Sequence, residues 1–547
     1  MFMQSQSLQP EKTSLARRDG GKYYFFSSQA AVAAWSVLVI MLMEAFAVFH
    51  NGAYFQDAMT LCVAISWTVV LLLLFASRGI ILSKWGAMQM ALLGLACAFW
   101  LWVGLSLLWS ISRDATWIEF NRTGGYVALL FSGIVVGRYS FARRLAVVLF
   151  LIVVTAAAIY GLGPKALPAT IDNLDDMGRI AVPIGYVNAM GLLMALGYVF
   201  SIYISAARDF HWGLRIFSVL AAPLILACMF FTTSRGAAIA LVFGFIVFFA
   251  LVPMRLRSFG ATMLSVFPVL FIAIWANGQD TLMKDSVALE DRLVAATSLR
   301  LYLLFAVVGA GAVFVVALLA GANVNFPTFA KKFAGAAIII TLLLTTITGI
   351  MLFVSSQPSI VDWADNAYQT FRYSNPSKSG AARFLDMSSS GRWLIWEEAI
   401  DNLRDNPVKG TGGQSFPLVH LMRRESDEVF VKQPHGHPFQ LLAELGLVGF
   451  MLSMAFMTVS LAYCTLLICR LCDRWERALA GAILSMIVVY LIHAAYDWDW
   501  NIFALTMVWF FFTGILVGWP RPAGGSIRPE DSGNGPLRAA RAYRSVA

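Results

Sequence analysis

Apolar runs about as long as a bilayer is thick recur along most of this 547-residue chain, and that recurrence decides what it can fold into. In hydrocarbon every backbone amide must find a partner inside the protein, so a run of roughly 20 apolar residues reads as a spanning helix. Fourteen such runs are present, at 30–49, 55–76, 86–110, 124–136, 145–162, 184–206, 214–231, 236–252, 261–276, 299–320, 333–355, 439–467, 479–495 and 503–519. The fourth is short and can be tilted, paired or re-entrant; about fourteen spans are expected, with twelve possible. The expected fold is an all-α, polytopic transmembrane helical bundle. Composition agrees: 13% of residues are charged and 59% hydrophobic, against roughly 25% and 45–50% in soluble domains.

A net charge of +9 points to nucleic acid in a soluble chain, but in a membrane chain what matters is where the basic residues fall. With the N-terminus inside, 23 of the 40 basic residues lie in inner segments and nine more in one long outer loop, which leaves eight for all the short outer loops. That asymmetry predicts both termini in the cytoplasm and no nucleic-acid partner. The expected organisation is a cytoplasmic segment at 1–29, eleven spans over 30–356, a large outer loop with short amphipathic helices at 357–438, three spans over 439–519, and a disordered cytoplasmic tail at 520–547, its arginines held near anionic membrane lipids. No cleavable signal, solenoid period or matched pair of interrupted helices stands out. The six cysteines form no disulfide framework. Cys469 and Cys472 have the spacing of a redox or zinc pair, but lack a second pair and read as small packing residues at a helix end.

Polar chemistry gathers on the outer side. Arg179 follows the acidic segment 172–176 where the sixth span begins, and Arg235 sits in Thr232-Thr-Ser-Arg-Gly-Ala237 between the seventh and eighth spans. Thr233 or Ser234 can cap the eighth helix, and a helix N-terminus beside a guanidinium suits an anion. Arginines at helix ends also snorkel to lipid phosphates, yet two on the outer side run against the charge bias. Glu44 is the only charge read as lying clearly within a span. In the long loop, Trp393, Trp396, Ile400 and Leu403 recur at helical spacing in 389–403, an amphipathic helix for the interface or the bundle's cap that brings Arg392 near the mouth. Gly410-Thr-Gly-Gly413 reads as a turn or an anion-binding nest. Trp363, Tyr368, Phe371 and Tyr373 can stack on sugars or pack the loop's own core. His435 and His437 flank the entrance of the twelfth span, where Pro438 suits the first helical position. Their spacing lacks a third metal ligand nearby, whereas an imidazole suits general-base work. His493 and Asp497 lie one helical turn apart, with Asp499 following.

Taken together, Thr232-Thr-Ser-Arg-Gly-Ala237, Ser390-Gly-Arg-Trp-Leu-Ile-Trp396, Pro407-Val-Lys-Gly-Thr-Gly412 and His435-Gly-His-Pro-Phe-Gln-Leu-Leu-Ala-Glu-Leu-Gly-Leu-Val-Gly449 resemble the O-antigen ligase and polymerase superfamily of bacterial envelope glycosyltransferases. The resemblance implies an enzyme of the bacterial inner membrane that takes a glycan from undecaprenyl diphosphate. The acceptor would be a glycan or lipid-core hydroxyl on the periplasmic or extracellular face, and no cofactor or metal would be used. By position it implies Arg179 and Arg235 as diphosphate-binding and His435 as the loop histidine; the reading of the residues adds His435 and Arg235 as catalytic, Arg392 as a further diphosphate contact, and His437, Asp497, His493, Gly410 and Gly412 as supporting. Gly436 stands where the family often has an amide, and Tyr186-Val-Asn188 where an Asn-Pro-Asn-like run is frequent. A flippase for lipid-linked oligosaccharide and a protein O-oligosaccharyltransferase are the alternative functions.

Overall fold

The computed structural model describes residues 28–76, 85–171, 173–174, 178–284, 287–319, 351, 359–373, 388–424 and 430–520. Among them lie sixteen helices of eight or more residues: α1 (Ser28–Phe49), α2 (Gln56–Ala76), α3 (Ala87–Leu105), α4 (Arg113–Val136), α5 (Ser140–Ala166), α6 (Val187–Ala206), α7 (Trp212–Phe231), α8 (Arg235–Leu251), α9 (Arg255–Asn277), α10 (Leu289–Leu319), α11 (Ile360–Tyr373), α12 (Arg392–Asp405), α13 (Phe416–Arg423), α14 (His437–Arg470), α15 (Arg474–Ala494) and α16 (Phe503–Val517). Ten of these are long and apolar enough to cross a membrane. Thirteen of the fourteen expected spans coincide with a helix. The expected span at 333–355, apart from residue 351, and the two terminal segments, apart from residues 28–29 and 520, lie outside the described residues.

Two helices form the centre. Every residue of α16 is buried, and all of α6 beyond its polar first turn is too, as expected of helices that are apolar on all sides. Glycines let α16 approach α4 backbone to backbone: a Cβ on Gly133 would stand 2.2 Å from the Phe511 carbonyl, and one on Gly514 would stand 2.3 Å from that of Leu130. The outer helices instead present apolar residues to the surroundings, such as Phe305 and Leu319 on α10 and Phe267 on α9, the pattern of a lipid-facing wall.

The structure differs from the sequence reading in three details of the bundle. The fourth helix is not short: α4 has 24 residues, and its polar start holds the exposed Arg113 and Asp114 followed by Glu119 and Arg122, which are buried and paired with each other. Glu44 is not the only charge inside the bundle, since Glu119, Arg122, Arg143, Lys165 and Glu444 are buried as well. Cys469 and Cys472 are exposed where α14 ends, not packed.

Helix α14 is broken at Gly446, whose φ of 63° and ψ of −167° leave the helical region. The groups freed there are taken up from outside the helix, as a break in a membrane helix requires. Leu447 and Val448 donate their amides to the carbonyls of Pro407 (2.9 Å) and Val408 (3.2 Å), while the carbonyls of Ala443 and Glu444 accept from Thr411 and Gly412. Trp102 donates its indole N–H to the Leu445 carbonyl at 3.1 Å. The loop 407–413 is thus fastened along the break, and it ties the short helices α12 and α13 to the start of α14.

Candidate active site

The turns at one end of the bundle carry unusual backbone. Among the described residues the non-glycine positions with positive φ are Asn51, Ala53, Thr233, Ser390, Gln414 and His435, and all of them lie at the end where α1, α7 and α15 finish. Left-handed backbone at a side-chain-bearing residue costs about 1–3 kcal/mol and collects where geometry serves function.

The α7–α8 turn places Arg235. Thr232 closes α7 with its hydroxyl on the Met229 carbonyl, Thr233 turns the chain with φ at 47°, and the Ser234 hydroxyl caps α8 by accepting from the Ala237 amide at 3.3 Å. Arg235 then leads α8 and donates from Nη2 to the Ser390 hydroxyl at 3.1 Å. Arg179 is brought to the same turn, because the next residue, Ile180, donates its amide to the Phe231 carbonyl at 3.2 Å.

Ser390 and Gly391, both left-handed, start α12, so that Arg392 points back toward the bundle. Its Nη1 donates to the Tyr496 carbonyl at 2.8 Å and its Nη2 to Asp497 Oδ2 at 2.9 Å. Asp497, 1% exposed, is the centre of the site. It also accepts from the Tyr186 hydroxyl (3.0 and 3.2 Å), Asn188 Nδ2 (2.8 Å) and the Trp498 amide (2.9 Å), and it stands 3.5 Å from His435 Nδ1. Burial alone would raise its pKa, but the Arg392 guanidinium, reinforced by His435, holds it well below the ordinary carboxylate range. Asp497 is therefore ionised at neutral pH, and its charge is available to an imidazolium.

His435 itself is fixed by its backbone. Its φ is 48°, its carbonyl accepts from Trp396 Nε1 at 3.2 Å, and its ring meets Trp498 edge-on. Trp396 in turn stacks on Phe439 of α14, with ring centres 4.6 Å apart. With Nδ1 facing Asp497, the half-buried ring has Nε2 for a reacting group. The arrangement can take a proton at Nε2 and share the resulting positive charge with a buried carboxylate.

Several expected site residues have partners within the protein. Arg392 is committed to Asp497 and the Tyr496 carbonyl, so it sets the charge of the site through that carboxylate. His437 is buried and stacked on Trp500 at 4.4 Å, away from the mouth. His493 pairs with Asp499 rather than Asp497, at 2.6 Å, with both side chains fully buried. It packs under the α7–α8 turn, where a Cβ on Gly236 would stand 3.1 Å from its Nε2, and Tyr496 donates its hydroxyl to the Gly236 carbonyl. Gly410 and Gly412 do not form an anion nest. The amides from Gly410 to Gln414 donate to Asn406, Ala443, Glu444, Ser106 and the Glu444 carboxylate in turn, which leaves none for a ligand. The aromatic residues of α11 pack on α12: Tyr368 and Phe371 meet Trp393 edge-on, whereas Tyr373 is exposed.

Glycine at 410 is required by that docking. Its φ is 62°, and a Cβ there would stand 2.4 Å from the Glu444 backbone. Gly410→Ala should destabilise the protein by at least about 1–3 kcal/mol, read as a lower melting temperature of the purified protein. An unchanged melting temperature would mean that the loop does not hold the break in α14.

A second buried cluster joins the two segments that carry His435 and Asp497. Arg122 Nη1 contacts Glu119 Oε2 at 2.6 Å and both Gln414 Oε1 and Asn501 Oδ1 at 2.9 Å. Asn501 donates to Gln440 (3.1 Å), Gln440 to Glu444 (3.2 Å), and Trp500 Nε1 to Glu119 (2.6 Å). Removing one partner of a buried pair leaves an uncompensated charge and costs about 3–5 kcal/mol, whereas replacing both is far milder. Arg122→Met should therefore lower the melting temperature strongly, and adding Glu119→Gln should recover much of the loss. Two losses that simply add would show that the pair is not a unit.

These features define a polytopic, all-α membrane protein whose polar site is assembled where loops and helix ends converge at one end of the bundle. Residues 292–454 match the family model described as O-Antigen ligase. That match supports the O-antigen ligase and polymerase superfamily, and with it an O-antigen ligase-type membrane glycosyltransferase family. The matched stretch contains Arg392, His435 and both sides of the glycine-loop contact, whereas Arg179, Arg235 and Asp497 lie beyond it. No curated protein matches the chain.

Proposed function

We propose that this protein transfers an oligo- or polysaccharide from an undecaprenyl-diphosphate donor to an acceptor hydroxyl, as an O-antigen ligase or polymerase does, in a single inverting displacement that takes neither a metal nor a nucleotide sugar. The observation that carries this reading is the run Arg235–Ser390–Arg392–Asp497–His435, in which side chains far apart in the chain meet at one end of the bundle.

In this mechanism the acceptor oxygen attacks the anomeric carbon while the bond from that carbon to the diphosphate oxygen breaks. The hydroxyl proton passes to His435 Nε2, and Asp497 offsets the charge that the ring gains. The electron pair of the broken bond leaves with the lipid diphosphate, whose growing negative charge falls to Arg235, aided by Arg179 and the N-terminus of α8. A one-step attack inverts the anomeric carbon. The charge asymmetry of the loops favours an inner-membrane protein with both termini in the cytoplasm and the site on the periplasmic or extracellular face. The acceptor is a lipid core in a ligase and a growing glycan in a polymerase.

Incubating the purified protein with an undecaprenyl-diphosphate oligosaccharide and candidate acceptors tests this directly. Release of undecaprenyl diphosphate together with a heavier acceptor is expected, and the acceptor that gains mass names the activity. Movement of the intact donor across proteoliposome membranes with no release would assign the protein to carriers instead.

A further inference from the structure

The opposite end of the bundle carries a charge arrangement that the transfer reaction does not use. Arg208 precedes α7, Arg215 lies in the first turn of α7, Arg257 in that of α9, and Arg474 opens α15. The other three guanidiniums lie close enough to Arg257 for their charges to act on it. A helix N-terminus already carries roughly half a positive charge, so arginine there is the unfavourable choice. Here three such termini and four guanidiniums converge.

Arg215 donates from Nε to the Ser205 carbonyl at 3.2 Å and feels the charge of Asp209, but the nearby acids make their ion pairs and hydrogen bonds with other groups. Asp209 pairs with Arg144 at 2.9 Å, Glu476 pairs with Arg143, and Asp473 caps α15 by accepting from the amides of Trp475 and Glu476. Neither α7 nor α9 has an acidic residue in its first turn. Among the described residues Arg257, half-buried, makes no hydrogen bond or ion pair. Two of the arginines lie over aromatic faces, Arg215 over Phe314 at 5.3 Å and Arg474 over Trp475 at 5.5 Å, and Trp212 beside them is 62% exposed. Tryptophan at a helix end with its ring outward marks the level of lipid headgroups.

We infer that Arg208, Arg215, Arg257 and Arg474 form a binding site for a phosphate-bearing anion at the end of the bundle remote from His435, filled in the membrane by the headgroup of an anionic phospholipid. The phosphate replaces the missing acidic partner of Arg257 and lies against three helix N-termini, while the acyl chains follow the apolar outer faces of α7 and α9.

The test uses the full chain in detergent, with phosphatidylglycerol, phosphatidylcholine and inorganic pyrophosphate as separate probes, read by native mass spectrometry and melting temperature. The wild-type protein should retain phosphatidylglycerol over phosphatidylcholine and melt higher with it. Arg215→Gln and Arg257→Gln should each weaken retention about five-fold, Arg257→Lys should keep most of it, and Arg404→Gln at the other end should change nothing. The lysine variant separates loss of charge from misfolding. Protection by pyrophosphate that vanishes in the same glutamine variants, without a lipid preference, assigns the same phosphate site to a soluble anion. Equal retention of both lipids with no response to pyrophosphate, or a phosphatidylglycerol preference that survives removal of both Arg215 and Arg257, overturns the inference.

Discussion

Arg235→Ala should lower the rate of transfer by about 10²–10³-fold, the usual consequence of losing a preorganised donor aimed at developing charge. The diphosphate is already a good leaving group, so stabilising its departure contributes at least as much as activating the acceptor, and this variant should be no faster than His435→Ala. Three local features hold Arg235: the left-handed Thr233, the Ser234 cap and the hydrogen bond to Ser390. Lysine should be a poor substitute because a compact ammonium cannot bridge two phosphate oxygens as a planar guanidinium does. The measurement is turnover of purified protein at saturating donor, alongside the melting temperature, since a loss of rate with normal stability isolates the chemistry. Near-normal transfer by Arg235→Ala would remove this residue from the reaction.

Replacing the base has the second large effect. His435→Ala should cost about 10²–10³-fold and no more than Arg235→Ala, in the lower part of the range for positioned general acid–base catalysis. Asp497→Asn should lose much of the same rate without touching the imidazole, because the neutral amide no longer compensates the imidazolium and leaves Arg392 facing a partner without charge. Arg392→Ala belongs with this group rather than with Arg235: it strips the buried Asp497 of its closest positive charge and should slow transfer through His435. If Asp497→Asn kept full rate while His435→Ala lost it, the carboxylate would be structural only.

The bundle was legible in the sequence because the membrane imposes one length and one polarity on each span, and thirteen of the fourteen expected runs coincide with helices. The first turns of α4 escaped because a search for apolar runs skips charge, and the partners that make Arg122 tolerable there, Gln414 and Asn501, are hundreds of residues away. Of the two readings of the glycine loop, the turn agrees with the structure and the nest does not, for a related reason. Gly410 to Gly413 have the composition of an anion nest, but the acceptors that occupy their amides come from the break in α14, from Ser106 and from Asn406. The Gly446 of that break, inside an otherwise helical stretch, was the available signal. Asp497 was visible only as a neighbour of His493, whereas its donors come from residues 186, 188, 392 and 498, with His435 close by. A hub of that kind has no local pattern to read. His435 and Arg235 stood out in the sequence because each lies in a short polar motif at the mouth of a span, and the fold brings those two mouths to the same end.

The central claim is that Arg235 and His435 serve one reaction at one lipid-linked diphosphate, and a double-variant cycle on single-turnover transfer tests it most directly. Groups that act as a unit show strongly non-additive losses. The account predicts that Arg235→Ala/His435→Ala is little slower than the worse single variant, and that all three release undecaprenyl diphosphate and extended acceptor in step. Losses that multiply across the cycle, or a variant that releases lipid diphosphate without extending the acceptor, would contradict it.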